Sequence, residues 1–324
     1  MSSPRCTSNA TTVSCRINLL LALDNRCVQG CAVTLASSLS RLEGDSVARV
    51  FLVTHGLSGR ARSALHDTVR KSGEGHTLEF INFDPRSVAV GLARSRLITP
   101  MAYVTCVMDR ILPRDVCRCL YMDCDIVATR DLSELWKTEL AGYSLAAVDD
   151  GNRPVLLEHQ ARLGLREPRY FNSGVLLVDL ERWRERRVGE RALATATRIG
   201  PRLILHDQDA LNVALQGDWL ALEPAWNTWT ILPGLTPDDR VLFHFMGAPK
   251  PWHADYDRPF GELFFAELDR TPLAGWRPWN PMGLGRGFLR MRRRLPWIPG
   301  AIRAARARLS PSASQASWQP EHET

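Results

Sequence analysis

Apolar residues run unbroken from Ile17 to Leu23 and stop at Asp24-Asn25. A continuous run this short predicts a strand buried on both faces. From Val28 the pattern changes. Val28, Cys31, Ala32, Leu35, Ala36 and Leu39 recur at helical spacing, which predicts a helix over 28–42. The alternation then repeats, with strands expected at 49–54 and 78–83 and helices at 57–71 and 101–112, the last stopped by Pro113. Arg118–Met122 is short and apolar and ends in Asp123-Cys124-Asp125. Further strands are expected near 143–148, 174–178, 219–222 and 241–245, and helices near 180–198 and 208–216.

Strands alternating with helices predict right-handed β-α-β units, hence an α/β fold with a mostly parallel central sheet. Such sheets bind ligands outside the carboxyl ends of their strands. Asp24-Asn25 and Asp123–Asp125 both lie at such ends, so the two segments are expected to share one cleft although about a hundred residues separate them. No internal repeat is visible.

Composition narrows the function classes. The chain has 324 residues, 45% of them hydrophobic, enough for one large core and against wholesale disorder. The net charge of +6 is uneven. Residues 271–324 hold nine Arg against Glu321 and Glu323, a balance of +7, so residues 1–270 sit at −1. The expected organisation is a flexible lead over 1–15, one domain over 16–270, a basic, aromatic-containing appendage over 271–309, and a disordered tail over 310–324. The appendage is broken by Pro272, Pro278, Pro281, Pro296 and Pro299 and by interspersed glycines, and reads as loop-rich. Its stretch 285–309 mixes arginines with Phe288, Trp297 and Ile298, a composition that suits an anionic membrane surface or, equally, packing on the body with a solvated basic face. No nucleic-acid recognition motif accompanies the charge, and no nucleic-acid partner is expected. The first sixteen residues carry no apolar signal segment, no run reaches membrane-spanning length, and the eight cysteines have no zinc spacing. A cytoplasmic protein with reduced thiols, peripheral at most to the inner face of the membrane, is expected.

Four segments carry candidate chemistry. In Asp123-Cys124-Asp125, two carboxylates at i and i+2 past a strand can face one point, and hard oxygen ligands suit Mg2+ or Mn2+. Alone, the same triplet is also a solvated acidic turn. In His244–Trp252, His244 could complete a metal shell, Gly247 lets the backbone approach a phosphate, and Lys250 could meet a diphosphate. A satisfied core histidine beside a Pro-rich turn is the plain alternative. Tyr170–Gly174 places Asn172 and Ser173 before an apolar strand, where they can bind sugar hydroxyls or simply form a turn. In His206–Asn212, Asp207 or Asp209 could cap the following helix, and Asp207 and Gln208 could face a sugar. Arg outnumbers Lys 38 to 3, a compositional bias against which Lys250 stands out.

The order and spacing of these four motifs resemble family 8 of the retaining glycosyltransferases, which includes bacterial lipooligosaccharide galactosyltransferases and glycogenin. The resemblance runs from about Asn18 to Trp252. It implies a single nucleotide-binding domain of the GT-A type and a metal-dependent transfer of a hexose-type sugar from a nucleotide diphosphate, UDP first, with retention of configuration. Mn2+ (or Mg2+) is the implied cofactor. Carried over, Asp123, Asp125 and His244 fall to the metal, and Gly247 and Lys250 to the diphosphate. Asn172, Ser173, Asp149, Asp207 and Gln208 fall to the donor sugar, the last two nearest the chemistry. Ala22, Asp24, Asn25 and Arg26, around the first strand end, fall to the rest of the donor. Two departures stand out. Leu23 and Arg26 stand where the family has an Asp and a Tyr that hold and stack uracil, and Arg26 could stack on a base through its guanidinium plane. Thr105 stands where the family has an Arg, with Arg96 and Arg110 as alternatives after a shift. A nucleotidyltransferase would want a Gly-rich basic loop after the first strand, and 24–30 offers only Arg26 and Gly30. A non-catalytic protein binding a nucleotide sugar or a membrane surface on the same scaffold is the remaining rival. The acceptor has no signature.

Overall fold

The structure is a computed structural model that describes residues 15–88, 100–150, 154–167, 169–231 and 240–279. The expected lead before Cys15, the basic stretch 285–309 and the tail 310–324 lie outside the described residues.

Strand β1 (Arg16–Leu23) is followed by helix α1 (Val28–Leu39), strand β2 (Val47–Thr54), helix α2 (Gly59–Lys71) and strand β3 (Thr77–Asn82). Then come α3 (Val104–Ile111), β4 (Arg118–Met122), β5 (Ile126–Ala128), α4 (Ser133–Lys137), β6 (Leu145–Val148) and α5 (Pro154–Leu163). The remainder is β7 (Val175–Asp179), α6 (Leu180–Glu185), α7 (Val188–Ile199), α8 (Asp207–Leu215), β8 (Leu220–Leu222), β9 (Thr228–Trp229), β10 (Leu242–His244) and α9 (Gly261–Leu268). The main sheet has the order β3-β2-β1-β4-β7-β6-β8. It is parallel except where β7 runs against both β4 and β6. The expected α/β architecture with a mostly parallel sheet is what the chain forms.

The unbroken apolar sequence of β1 is explained by two covered faces. Ile17, Leu19, Leu21 and Leu23 enter one core cluster with α1, α2 and α9. Leu20 enters the other, with Val104, Trp183, Val188 and Leu211 from α3, α6, α7 and α8. Ser58 caps α2 by accepting from the Ala61 amide at 3.3 Å, which moves its start two residues past the expected 57. Leu273 is buried and Trp276 packs on the first cluster, so the chain past Asp269 begins on the body of the domain.

Helices α4, α5 and α9 were not among the expected elements, and two further features depart from expectation. The predicted helix over 180–198 is two helices, because Arg187 adopts a left-handed conformation (φ 51°, ψ 40°). Trp183 before the break and Val188, Ala192 and Ala196 after it all face the same cluster, so the hydrophobic period passes through the break and hides it. Neither Gly nor Pro marks it. The second difference is a small sheet, β5-β10-β9, with β10 antiparallel to β5 and parallel to β9. Cys117 is disulfide-bonded, which corrects the expectation of reduced thiols at that position, while Cys15, Cys27, Cys31, Cys106, Cys119 and Cys124 are free.

Helix α7 reaches α3 through Gly189, where an added Cβ would lie 2.2 Å from the Cys106 carbonyl oxygen. A backbone atom cannot step aside as a side chain can. Gly189→Ala is expected to lower unfolding stability by roughly 1–3 kcal/mol in a denaturant titration, as overpacking does.

Candidate active site

Strands β1 and β4 are neighbours, with Leu19 opposite Leu120, so the turns at their carboxyl ends lie side by side. The Cys124 thiol donates to the Ala22 carbonyl at 3.3 Å and ties the two turns together. Gly30 of α1 permits this approach: a Cβ there would meet the Cys124 carbonyl oxygen at 2.2 Å and the Trp252 ring at 2.6 Å. Asp24-Asn25 and Asp123–Asp125 therefore do share one end of the sheet.

The acidic turn is held from both sides. The Asp123 amide donates to the Gly174 carbonyl at 2.8 Å, and the Phe245 amide to the Asp125 carbonyl at 2.9 Å. Thr34, within α1, donates its hydroxyl to the Ile126 carbonyl at 2.8 Å. Immediately after Asp125 the chain enters β5, and β5 pairs with β10 so that Ile126 faces His244. This pairing delivers the imidazole to the carboxylates: His244 Nε2 lies 3.2 Å from Asp125 Oδ1 and 3.6 Å from Asp123 Oδ2. One ligand atom from each of the three residues falls within 4.8 Å of the others. Two carboxylate oxygens and one imidazole nitrogen are a donor set that fits a hard divalent cation such as Mg2+ or Mn2+.

The electrostatics separate the two carboxylates. Burial pushes Asp125 up, but the Lys250 ammonium and the His244 ring outweigh it and hold the carboxyl well below the usual range. Lys250 Nζ donates to Asp125 Oδ2 and, at 3.0 Å, to the Phe245 carbonyl. Asp123 is raised, first by desolvation and then by the charge of Asp125, although Tyr121 donates its hydroxyl to Asp123 Oδ1 at 2.8 Å. A third carboxylate, Asp207, is pushed up to about 7 by burial and by Asp123. Its side-chain donors are neutral hydroxyls, Thr105 Oγ1 at 3.0 Å from Asp207 Oδ2 and Ser173. Thr105 is thus at the site, whereas Arg110 points to solvent and Arg96 lies outside the described residues.

Around these groups sits a network of buried amides. Asn172 Oδ1 accepts from the Gly174 amide at 3.0 Å and from Asn227 Nδ2 at 2.7 Å. Asn172 Nδ2 donates to Gln208 Oε1 at 3.2 Å, and the Ser173 amide donates to the same oxygen at 3.0 Å. Gln208 Nε2 is buried without a hydrogen-bond partner among the described residues. His244 Nδ1 lies 2.9 Å from Asn227 Oδ1. Asn172, Ser173, Asp207 and Gln208 are therefore brought together with His244. Asp149 stands at the edge of this group, bridged to Phe171, with its Oδ1 3.4 Å from the Tyr170 amide.

Asp209 departs from the expectation that it could cap the helix. It does not cap α8, whose start at His206 has no side-chain cap. Its carboxylate turns back to accept from the Ile204 and Leu205 amides, both at 2.8 Å, from Tyr170 Oη at 2.5 Å and from His159 Nε2 at 2.7 Å. Asp207 is the first residue of α8, also not its cap.

Gly247, at φ +68°, turns the loop that carries Lys250. Arg258 Nη1 donates to the Met246 carbonyl at 2.7 Å and Nη2 to that of Ala248, pinning the loop. At the far side, the Arg26 guanidinium pairs with Asp24 at 2.7 Å, Asn25 bridges the Gly56 carbonyl and the Ser58 amide, and Leu23 is 1% exposed within the core. Thr34, Tyr121, Asn227 and Arg258 were not expected at the site. Thr34 and Asn227 act on partners 17 to 92 residues away, Arg258 on carbonyls 10 and 12 residues back and Tyr121 on Asp123 two residues on, and no local motif announces any of them.

Two outcomes follow from this geometry. The native state keeps a proton on Asp207 that the unfolded chain loses near 3.8, so stability of the metal-free protein should fall as pH rises from about 4 to about 7. Melting curves of Asp207→Asn across that window should show the slope reduced. A Cβ on Gly174 would lie 2.3 Å from His244 Cε1. Gly174→Ala should therefore displace the ring and weaken Mn2+ binding on the order of tenfold or more by calorimetry, with the fold intact by circular dichroism.

Comparison with known proteins gives a family and a fold. The family described as Glycosyl transferase family 8 matches residues 18–256. General stress protein A of Bacillus subtilis (strain 168) is 27% identical over 265 residues, covering 76% of this chain and 89% of that protein. Lipopolysaccharide 1,2-glucosyltransferase of Escherichia coli (strain K12) is 31% identical over 180 residues, 51% of this chain and 52% of that one. Among solved structures, the galactosyltransferase LgtC in complex with donor and acceptor sugar analogs superposes with a TM-score of 0.68 at 22% identity, covering 79% of this chain and 96% of that chain. The bifunctional glycosyltransferase WbbM gives the same TM-score at 16% identity, and the match spans 82% of this chain and about half (52%) of WbbM. The shared architecture is the GT-A fold.

Proposed function

This chain belongs to glycosyl transferase family 8 and is a glycosyltransferase, and from that premise we propose a metal-dependent, retaining transfer of a hexose-type sugar from a nucleotide diphosphate to an acceptor. The observation that carries this reading is the convergence of Asp123, Asp125 and His244 beside Lys250 at the carboxyl end of the sheet. Mn2+ (or Mg2+) is the cation this donor set favours, and UDP is the first candidate for the nucleotide. A bound divalent cation would offset the charge that develops on the leaving diphosphate.

The protein's own groups do the rest. Lys250 neutralises Asp125 in the free protein, and a diphosphate entering beside Gly247 offers the ammonium a second anion. Gln208 Oε1 is engaged by the Ser173 amide and Asn172 Nδ2, so it is a poor attacking atom, while Nε2 is left to donate to a sugar hydroxyl. Asp207, seated against neutral Thr105, presents a carboxyl to the reacting sugar. Positive charge at the anomeric carbon lowers its pKa and draws out the carboxylate as the sugar becomes cation-like. Departure and attack on the same face then give retention without a covalent adduct on Gln208 or Asp207. Trapping such an adduct with a slow donor analogue would overturn that route.

The base pocket sets the nucleotide question. Leu23 is buried in the core and gives a base no hydrogen bond, and Arg26 is paired with Asp24. Titrating nucleoside diphosphates and their sugars by calorimetry, with and without Mn2+, should single out one base. Asp125→Ala should weaken that binding by at least about tenfold. Metal-independent binding, unchanged in the variant, would sink the reading. Among the described residues no helix is long and apolar enough to cross a membrane. The basic stretch 285–309 suits peripheral contact with an anionic lipid surface, on the cytoplasmic side.

A further inference from the structure

His244 is the one nitrogen donor in a cluster of two carboxylates, and a histidine has two ring nitrogens that are not equivalent. A cation between Asp123, Asp125 and His244 needs a lone pair on Nε2, so the ring proton must sit on Nδ1. Which nitrogen carries the proton follows from a chain of hydrogen bonds whose direction is fixed at one end.

A backbone amide can only donate. The atom of Asn172 that faces the Gly174 amide at 3.0 Å must therefore be its oxygen. The Ser173 amide fixes Gln208 in the same way, oxygen inward, and Asn172 Nδ2 then meets that oxygen at 3.2 Å, so Asn172 is oriented from both ends. Asn172 Oδ1, as an acceptor, requires that the nearest atom of Asn227 be its nitrogen, at 2.7 Å. That leaves Asn227 Oδ1 against His244 Nδ1 at 2.9 Å, where only a protonated Nδ1 makes a hydrogen bond. Asn172, Asn227, Gln208 and His244 are 2%, 3%, 6% and 3% exposed, so water cannot readily replace any link.

We propose that Asn227 and Asn172 are positioning residues for the metal site: they relay the direction of the Gly174 amide to His244 and hold its ring as the tautomer that presents Nε2 to the cation. This rests on the reading of Asp123, Asp125 and His244 as cation ligands. It adds a claim about how one of them is set. Removing the partner of a ligating histidine typically costs about 10- to 100-fold in metal affinity. Without Asn172 the Asn227 amide is free to rotate and offer its nitrogen to Nδ1, which favours the wrong tautomer. A carboxylate at position 227 has acceptors on both sides and needs no such orientation.

The test is a double-mutant cycle in the full-length protein, with Mn2+ alone as the probe and free Mn2+ followed by electron paramagnetic resonance. Asn227→Leu should weaken binding about 10- to 100-fold and Asn172→Leu about tenfold. In the Asn227→Asp background, Asn172→Leu should change affinity by less than about twofold, an insensitivity that a packing defect would not produce. An equal loss in both backgrounds, or no loss from Asn227→Leu, overturns the proposal. If native protein binds no Mn2+, the metal reading itself has failed. A second measurement then still decides the relay: long-range proton–nitrogen spectra of the imidazole rings, metal-free and at a pH where the ring is neutral, in Asp125→Ala, which lacks the carboxylate 3.2 Å from Nε2 that would otherwise hold a proton there. The His244 signal, assigned by its loss on adding His244→Gln, should report a proton on Nδ1. A proton on Nε2 in that background overturns the relay.

Discussion

Asp123 and Asp125 bring two like charges to one end of the sheet, and Asp207 adds a third carboxyl behind them. Two unit charges about 4 Å apart cost roughly 4 kcal/mol at an effective dielectric near 20, so such a group does not assemble unaided. In the free protein the repulsion is met piecemeal. Lys250 and His244 hold Asp125 ionised, Tyr121 donates to Asp123, and Asp207 rises to about 7 against a neutral threonine. The pocket is thus short of positive charge at Asp123 and Asp207, the side from which a cation and a sugar with cationic character would enter. The same deficit makes the site a stability burden that a bound cation would relieve.

The scaffold solves a geometric problem posed by the sequence. About 120 residues lie between Asp125 and His244. They are reunited because β5 starts directly after the acidic turn and pairs with β10, whose last residue is the histidine. Gly30 and Gly174 then allow backbone and ring to approach more closely than any side chain would permit. The small sheet and the two glycines contribute no chemistry, yet without them Asp123, Asp125 and His244 would be separate polar residues at the rim of an ordinary α/β sheet.

The main sheet was legible because strands buried on both faces leave continuous apolar runs and their helices leave a clear period, as at Ile17–Leu23 and Val28–Leu39. β5 and β9, of three and two residues, leave no period at all, and the break at Arg187 is masked by packing common to both of its sides. At the site, the clustered polar motifs at 123–125, 172–174, 207–208 and 244–250 were readable as a set. Thr34, Tyr121, Asn227 and Arg258 were not, since each is an ordinary residue type that matters only through the partner the fold brings to it. The cap expected of Asp207 or Asp209 is the instructive miss: an acidic residue near a helix start usually serves that helix, but Asp209 faces back to the Ile204 and Leu205 amides, His159 and Tyr170.

The amide of Gly174 has a consequence for how variation can reach this site. It is a main-chain group, and every residue except proline carries one. The sense in which Asn172, Asn227 and His244 point is therefore written in the main chain, at a position where a Cβ would press within 2.3 Å of His244 Cε1, so glycine alone supplies the donor and leaves room for the ring. The middle of the chain of hydrogen bonds is vulnerable in another way. Exchanging an asparagine there for leucine keeps the charge but strips away both the donor and the acceptor, erasing the direction of everything downstream.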